Sequence, residues 1–346
     1  MPDPSRSDLP SDTAPAPAPT SALDVMHLRA VQPQLLIAVM VALAGLVLLG
    51  ELPGRPLILH TLQKLAHPTV FGLIAIGVLA LEQQRMTAAR PLWLQYLLAL
   101  LVATGIGALT ELGQLFTHRD PSLRDMLLDA RGTTCALAYA AVFDGRCRAG
   151  VRPVLRRRAS CIIALGMTAL ILTPLAWTAA GYAQRAWRFP ILFAPASRLD
   201  LLFVGLTSSA PELSRVPGAI ARTAQETGLR VPLQSRPYAG VTLDEPRADW
   251  RGYRILAVEV GNNGRTDLTL RLRIHDRQHD WTATDRYNGE LRLAAGQRRT
   301  FEIALADVEH GPRGRLLDLG HVAGVSLYRA GPEGPGSFWL HRIALR

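Results

Sequence analysis

The sequence predicts a membrane-embedded all-α helical bundle of about five transmembrane helices, followed by an all-β jelly-roll or sandwich domain outside the cytoplasm. Three observations predict it. Long apolar runs fill the chain up to about Tyr182, apolar residues after Arg188 are scattered and alternate with polar ones, and Gly and Pro punctuate only that second part at strand-like spacing. The mean hydropathy of +0.14 over 346 residues is therefore an average of two unlike halves.

The first 32 residues, with Pro-Ala-Pro-Ala-Pro at Pro15 to Pro19, are too polar and proline-rich to bury a core and read as a disordered tail. No cleavable signal is evident, because the first apolar run follows a long polar lead and is long enough to span. A spanning helix needs about 20 largely apolar residues. Five segments approach that length: Gln34 to Leu52, Leu62 to Leu81, Leu92 to Leu109, Leu127 to Phe143 and Ile162 to Tyr182. The first four make a four-helix domain over 33–143, the fifth helix occupies 161–183, and residues 144–160 link them.

That linker contains Arg146, Arg148, Arg152, Arg156, Arg157 and Arg158, so the positive-inside rule places it in the cytoplasm. Five spans then put the N-terminus inside and the domain at 188–346 outside. The net charge of +10 does not point to nucleic acid, since the basic residues are dispersed and all but Lys64 are arginines. Cys135, Cys147 and Cys161 have no zinc or redox spacing and lie in or beside the membrane half, leaving the β-domain without a disulfide.

The polar residues of the membrane half gather where the second, third and fourth helices meet the outer surface. Helical spacing puts Lys64 with His67, Glu111 with Gln114 and His118, and Asp125 with Asp129 and Gly132, each set on one face. A charge at the bilayer centre costs about 2.5–3.5 kcal/mol, so Glu111 needs an interfacial position or a partner among Lys64, Arg119 and His67. Asp125 and Asp129 suit the positive end of the fourth helix. Three roles stay open for the cluster: an ion-pair network that locks helices, a site for a lipid or envelope head group, or catalysis with Glu111 or His67 as general acid/base and Asp125 or Asp129 as partner. His67, Glu111 and Asp125 carry metal-ligating atoms, yet no motif of the His-Glu-x-x-His kind accompanies them, and neither metal nor cofactor is predicted.

The string Thr110-Glu111-x-x-Gln114-x-Phe116, then Arg119, then Ser122-x-x-Asp125-x-x-x-Asp129-x-x-Gly132, preceded by Lys64-x-x-His67, resembles the VanZ family of bacterial membrane proteins over roughly Leu35 to Phe143. Gln63 and Asp129 depart from it, standing where that family usually has Asp and Asn. The resemblance implies a multi-pass protein of the bacterial inner membrane and a link to glycopeptide resistance or envelope maintenance; it implies no reaction.

In the second half, Leu268, Leu270, Leu272 and Ile274 alternate with Thr269, Arg271 and Arg273, which predicts a strand with one buried face. Arg254 to Val260, Gly289 to Leu293, Arg299 to Leu305, Val322 to Tyr328 and Ser337 to Ala344 read likewise, with turns at Asn262-Asn263-Gly264 and Ala295-Gly296. Pro217 to Gly228 reads as a helix or an excursion before the sheet. The order Asp249-Trp250-Arg251-Gly252-Tyr253, Arg273-Ile274-His275-Asp276, Asp285-Arg286-Tyr287-Asn288 and Phe338-Trp339-Leu340-His341-Arg342-Ile343 resembles the galactose-binding-like jelly rolls of carbohydrate-binding modules. The resemblance implies a sugar site, for which Trp281, Arg286, Asn288, His275 and Asp276 supply an aromatic platform and polar rim. Trp250 and Trp339 are assigned to the core.

The resulting expectation is a non-enzymatic envelope protein in contact with the lipid bilayer and with a cell-wall glycan or envelope lipid. The alternative is a membrane enzyme that acts on such a lipid or glycan through the outer polar cluster.

Overall fold

The computed structural model describes residues 32–49, 56–85, 90–115, 122–148, 152–206, 211–234, 238–329 and 336–346. The chain divides into two compact units, one formed by residues 1–50 and 66–171 and the other by 51–65 and 172–346.

In the first unit each apolar run folds as a helix, because a backbone removed from water must bond to itself. The helices are α1 (Pro33–Leu49), α3 (Ala66–Arg85), α4 (Leu92–Gln114), α5 (Leu123–Phe143) and the first half of α7 (Pro153–Arg188), with a short α6 (Gly145–Arg148) between the last two. The chain enters α3 directly from α2 (Leu57–Lys64), with a single break at Leu65. Three stretches are long and apolar enough to cross a membrane: Leu57–Gln84, Leu92–Gln114 and Pro153–Arg188. α5 carries Arg124, Asp125, Asp129 and Arg131 in its first turns, which lowers its hydropathy. At about 1.5 Å per residue α7 is ~54 Å long, well beyond a ~30 Å hydrocarbon core. It therefore continues past the apolar run at both ends, through the arginines after Pro153 and on to Arg188.

Phe71, Ile74 and Leu79 of α3 and Ala99 and Ala103 of α4 are fully buried and centre the bundle core. α3 and α5 approach most closely at Gly132, where a Cβ would stand 2.0 Å from the carbonyl oxygen of Pro68. Only glycine fits there, so Gly132 sets the separation of the two helices. Outward-facing Ile162, Leu165, Leu170 and Leu172 of α7 stay exposed, as a lipid-facing surface requires.

The second unit is a sandwich of two antiparallel sheets. One has the order β3 (Glu212–Arg215), β4 (Thr227–Leu233), β11 (Gly336–Leu345), β6 (Ile255–Gly261), β9 (Arg298–Ala304), with β1 (Ile191–Phe193) also on β11. The other runs β2 (Val204–Leu206), β5 (Ala239–Asp244), β10 (Val322–Arg329), β7 (Leu268–Asp276), β8 (Tyr287–Leu293). Leu270, Leu272 and Ile274 of β7 are fully buried, as their alternation requires, and form one core with Leu256, Val258 and Val260 of β6 and Phe338 of β11. Trp250 is fully buried and its indole Nε1 donates to the carbonyl of Arg247 at 2.7 Å. Trp339 is buried in a separate small cluster with Val216 and Ile220.

Residues 217–226 form turns rather than a helix: Pro217 and Gly218 open the stretch, and Ile220 alone is pinned inward, against Trp339. β1 to β5 escape prediction because they are short, interrupted or, in β4, contain Pro232.

Candidate functional site

Two groupings of chemically capable side chains emerge, one in each unit. In the bundle, His67 stands in the first turn of α3, Glu111 and Gln114 in the last turn of α4, and Asp125 and Asp129 in the first two turns of α5. Up-and-down connectivity therefore brings all of them to one end. Gly132 lets α5 press on α3, and Gly107 leaves the backbone of α4 bare beside Asp129, where a Cβ would meet Oδ2 at 3.1 Å.

Glu111 accepts from Gln114 Nε2 at 3.1 Å and from the backbone N–H of Ser122 at 2.9 Å, so it ties the end of α4 to the start of α5. Ser122 in turn caps α5, accepting from the Asp125 N–H at 3.3 Å. His67 Nδ1 lies 3.3 Å from Asp129 Oδ1, but without hydrogen-bond alignment. Asp129 is only 1% exposed, and neither of its carboxylate oxygens has a hydrogen-bond partner among the described residues. One ligand atom each from His67, Glu111 and Asp129 fall within 4.8 Å of one another.

Glu111 is held by an amide and a backbone N–H, while His67 serves Asp129. Lys64 is the last residue of α2 and belongs to the unit that holds the sandwich. Arg119, His118 and Phe116 lie outside the described residues.

In the sandwich unit, a cleft of about 940 Å³ is lined by Tyr182 and Arg185 from α7, Glu245 and Arg247 after β5, and His275, Asp276, His279 and Trp281 at the end of β7. Glu245 is the residue that joins helices to sheet here. It accepts from the Leu57 N–H at 2.7 Å and from the Tyr182 hydroxyl, while its own carbonyl accepts from Arg185. The Arg185 guanidinium also lies 3.6 Å from the centre of the Phe203 ring.

Trp281 is 79% exposed at the rim, with its ring centre 5.5 Å from His279 and 6.2 Å from His275. His279 is fixed by the Asp285 carbonyl at 2.7 Å and by Arg273 at 3.1 Å. Burial and the nearby Arg273 charge push the His275 imidazole down to about 4, so it is neutral at pH 7. Asp276 is committed elsewhere. Both its oxygens accept from Arg315, at 2.6 and 2.8 Å, and the N–H of Asp318 adds a third bond at 2.8 Å. Arg315 also pairs with Asp285, and these contacts hold both carboxyls below the usual carboxylate range.

Of the five residues expected at a sugar site, the fold brings His275, Asp276 and Trp281 to one cleft. Arg286 and Asn288 lie on the neighbouring strand edge, where Arg286 Nε donates to Asn288 Oδ1 at 3.0 Å. Sequence reasoning missed Tyr182, Arg185, Glu245, Arg247 and His279. Only His279 left a local signal, the spacing His275-x-x-x-His279-x-Trp281.

No family model and no curated protein matches the chain, so the VanZ resemblance gains no support beyond the residues that suggest it. Among solved structures, the chain is similar to an exo-β-agarase at 13% identity and a TM-score of 0.37, covering 45% of this chain and 24% of that one. It is similar to the family 11 carbohydrate-binding module from Clostridium thermocellum, solved in complex with a β-1,3-1,4-mixed-linked tetrasaccharide, at 17% identity and a TM-score of 0.31, covering 42% of this chain and 88% of that one. The agarase AgWH50C follows at 15% and 0.33, covering 44% and 24%. The C-terminal sandwich resembles the β-domains of these proteins, and the chain spans about a quarter of the agarases' length. At these scores the likeness carries no further argument.

Proposed function

We propose that this chain is a non-enzymatic, multi-pass protein of the bacterial inner membrane whose sandwich binds a glycan or glycolipid head group beside the outer face of the bilayer. The observation that supports it is Trp281: a large aromatic, 79% exposed, beside two imidazoles at the rim of a cleft that also carries arginines and two carboxylates, Glu245 and Asp276. A flat ring beside polar groups suits the apolar face of a sugar. The cleft includes residues of α7, so a ligand there is held next to the membrane helix, which raises its effective concentration at the surface. Five spans are proposed from the five apolar runs, and the arginine-rich 144–160 segment, placed in the cytoplasm, then puts the C-terminal domain outside. The VanZ-like order of residues in α3 to α5 adds an envelope theme, with glycopeptide resistance as its most specific form.

The test is binding of envelope polysaccharides and glycolipids by the full-length protein in detergent, with Trp281→Ala as comparison. A ligand retained by the wild type and lost in the variant supports the reading; no binding by the folded wild type removes it. The alternative of a membrane enzyme is favoured by one observation, the buried and unsatisfied Asp129 beside His67. Turnover of an envelope lipid or glycan that Glu111→Gln abolishes would select it.

A further inference from the structure

We infer that His67, Glu111 and Asp129 form a binding site for one divalent first-row transition cation of the zinc type, at the end of the bundle where α3, α4 and α5 meet. This inference is independent of the glycan reading.

The donors are of the right kind. One imidazole nitrogen and two carboxylate oxygens match the His-plus-carboxylate sets that hold Zn²⁺, and an imidazole favours such an ion over Mg²⁺ or Ca²⁺, which prefer oxygen alone. The separations also suit. Ligand atoms about 2.0–2.2 Å from a tetrahedral ion stand ~3.3–3.5 Å apart. His67 Nδ1 and Asp129 Oδ1 are 3.3 Å apart, and all three donor atoms fall within 4.8 Å.

The independent observation is the state of Asp129. A carboxylate that is 99% removed from water is expensive unless hydrogen-bonded or paired. Yet among the described residues both of its oxygens, and His67 Nδ1 facing them, lack a hydrogen-bond partner. Lone pairs converge where a donor is missing, which is the arrangement a cation satisfies. Among the described residues no lysine or arginine pairs with Glu111 or Asp129. Two carboxylates and a neutral imidazole sum to a charge that one divalent ion cancels, whereas a protonated His67 would cancel only half.

The surroundings orient the donors as second-shell groups do at metal centres. Gln114 Nε2 and the Ser122 N–H each take one oxygen of Glu111, fixing its plane. Three protein ligands leave a fourth position open, the pattern of reactive rather than purely structural zinc. Asp129 is also one of the two positions that depart from the VanZ-like string, and its carboxylate supplies the second negative charge that an asparagine would not.

The test uses full-length protein purified in detergent without a polyhistidine tag, stripped with chelator and titrated with Zn²⁺ and, for spectroscopy, Co²⁺. One ion per chain is expected, with visible Co²⁺ absorption, and His67→Gln, Glu111→Gln and Asp129→Asn each weaken affinity at least 100-fold. His310→Gln, at an exposed position of the sandwich unit, leaves it unchanged. Folded wild-type protein that binds no ion, or binding that His67→Gln and Asp129→Asn leave intact, overturns the inference. Should those variants fail to fold, X-ray absorption of the zinc-loaded wild type decides: one imidazole with oxygen neighbours supports the site, and sulfur or several imidazoles overturn it.

Discussion

Asp129 in the bundle and Asp276 in the sandwich are both carboxylates with about 1% of their surface exposed, but their surroundings are opposite. Asp276 receives two bonds from Arg315 and a third from the Asp318 backbone, so its burial is compensated and the group belongs to the architecture. Asp129 receives no hydrogen bond from the described residues and has only the His67 imidazole, 3.3 Å away, beside it. Compensated burial holds a fold together, whereas uncompensated burial is tolerated only where something else gains by it. The contrast separates a structural carboxylate from a candidate functional one without reference to any relative.

The comparison breaks most sharply at Asp276. Asp276→Ala takes one of its two carboxylate partners from Arg315 and leaves the Asp318 N–H without its acceptor, and we expect a loss of about 3 kcal/mol in the sandwich, read from denaturant unfolding of the full chain. A change below ~1 kcal/mol would show that the pair is not the anchor described.

Acid is the next lever. Burial and the Arg298 charge push the buried His341 down to about 4, as His275 is pushed. The unfolded chain, with imidazoles near 6.5, then binds more protons than the folded one between those values. Stability is therefore fully present above about pH 6.5 and falls as pH drops toward 4, by up to ~3 kcal/mol for His341 alone. Thermal midpoints measured from pH 7 to 4 check it; a flat profile over that window contradicts it.

Gly132→Ala probes what brings Asp129 to His67. Its new Cβ must displace the Pro68 carbonyl, so the helices part at a cost of about 1–3 kcal/mol, seen as a lower melting temperature of the bundle.

Asp129→Asn sharpens the comparison by its sign. In chelator-stripped protein it removes an uncompensated charge, and stability is expected to stay level or rise by about 1 kcal/mol, the opposite of Asp276→Ala. A large loss would make Asp129 as structural as Asp276. Trp281→Ala has the smallest effect on stability, within ~0.5 kcal/mol, because the ring is exposed. Its consequence should appear only in ligand binding.

The sequence alone determined the two-part architecture. Apolar runs of helical length and the strict alternation from Leu268 to Ile274 are local signals whose physics acts within one element, and the fold follows both. It also brought His67, Glu111 and Asp129 into one candidate cluster, because residues at the ends of successive antiparallel helices share an end. Which groups pair was decided only in three dimensions. That Arg315 takes Asp276, that Glu245 joins α2 and α7 to the sheet, and that His67 meets Asp129 rather than Glu111 all depend on contacts between residues far apart in the chain. The separation set by one glycine at position 132 is of the same kind: a hydrogen at that Cα reads as an ordinary helix residue until a neighbouring carbonyl is found where a side chain would have to be.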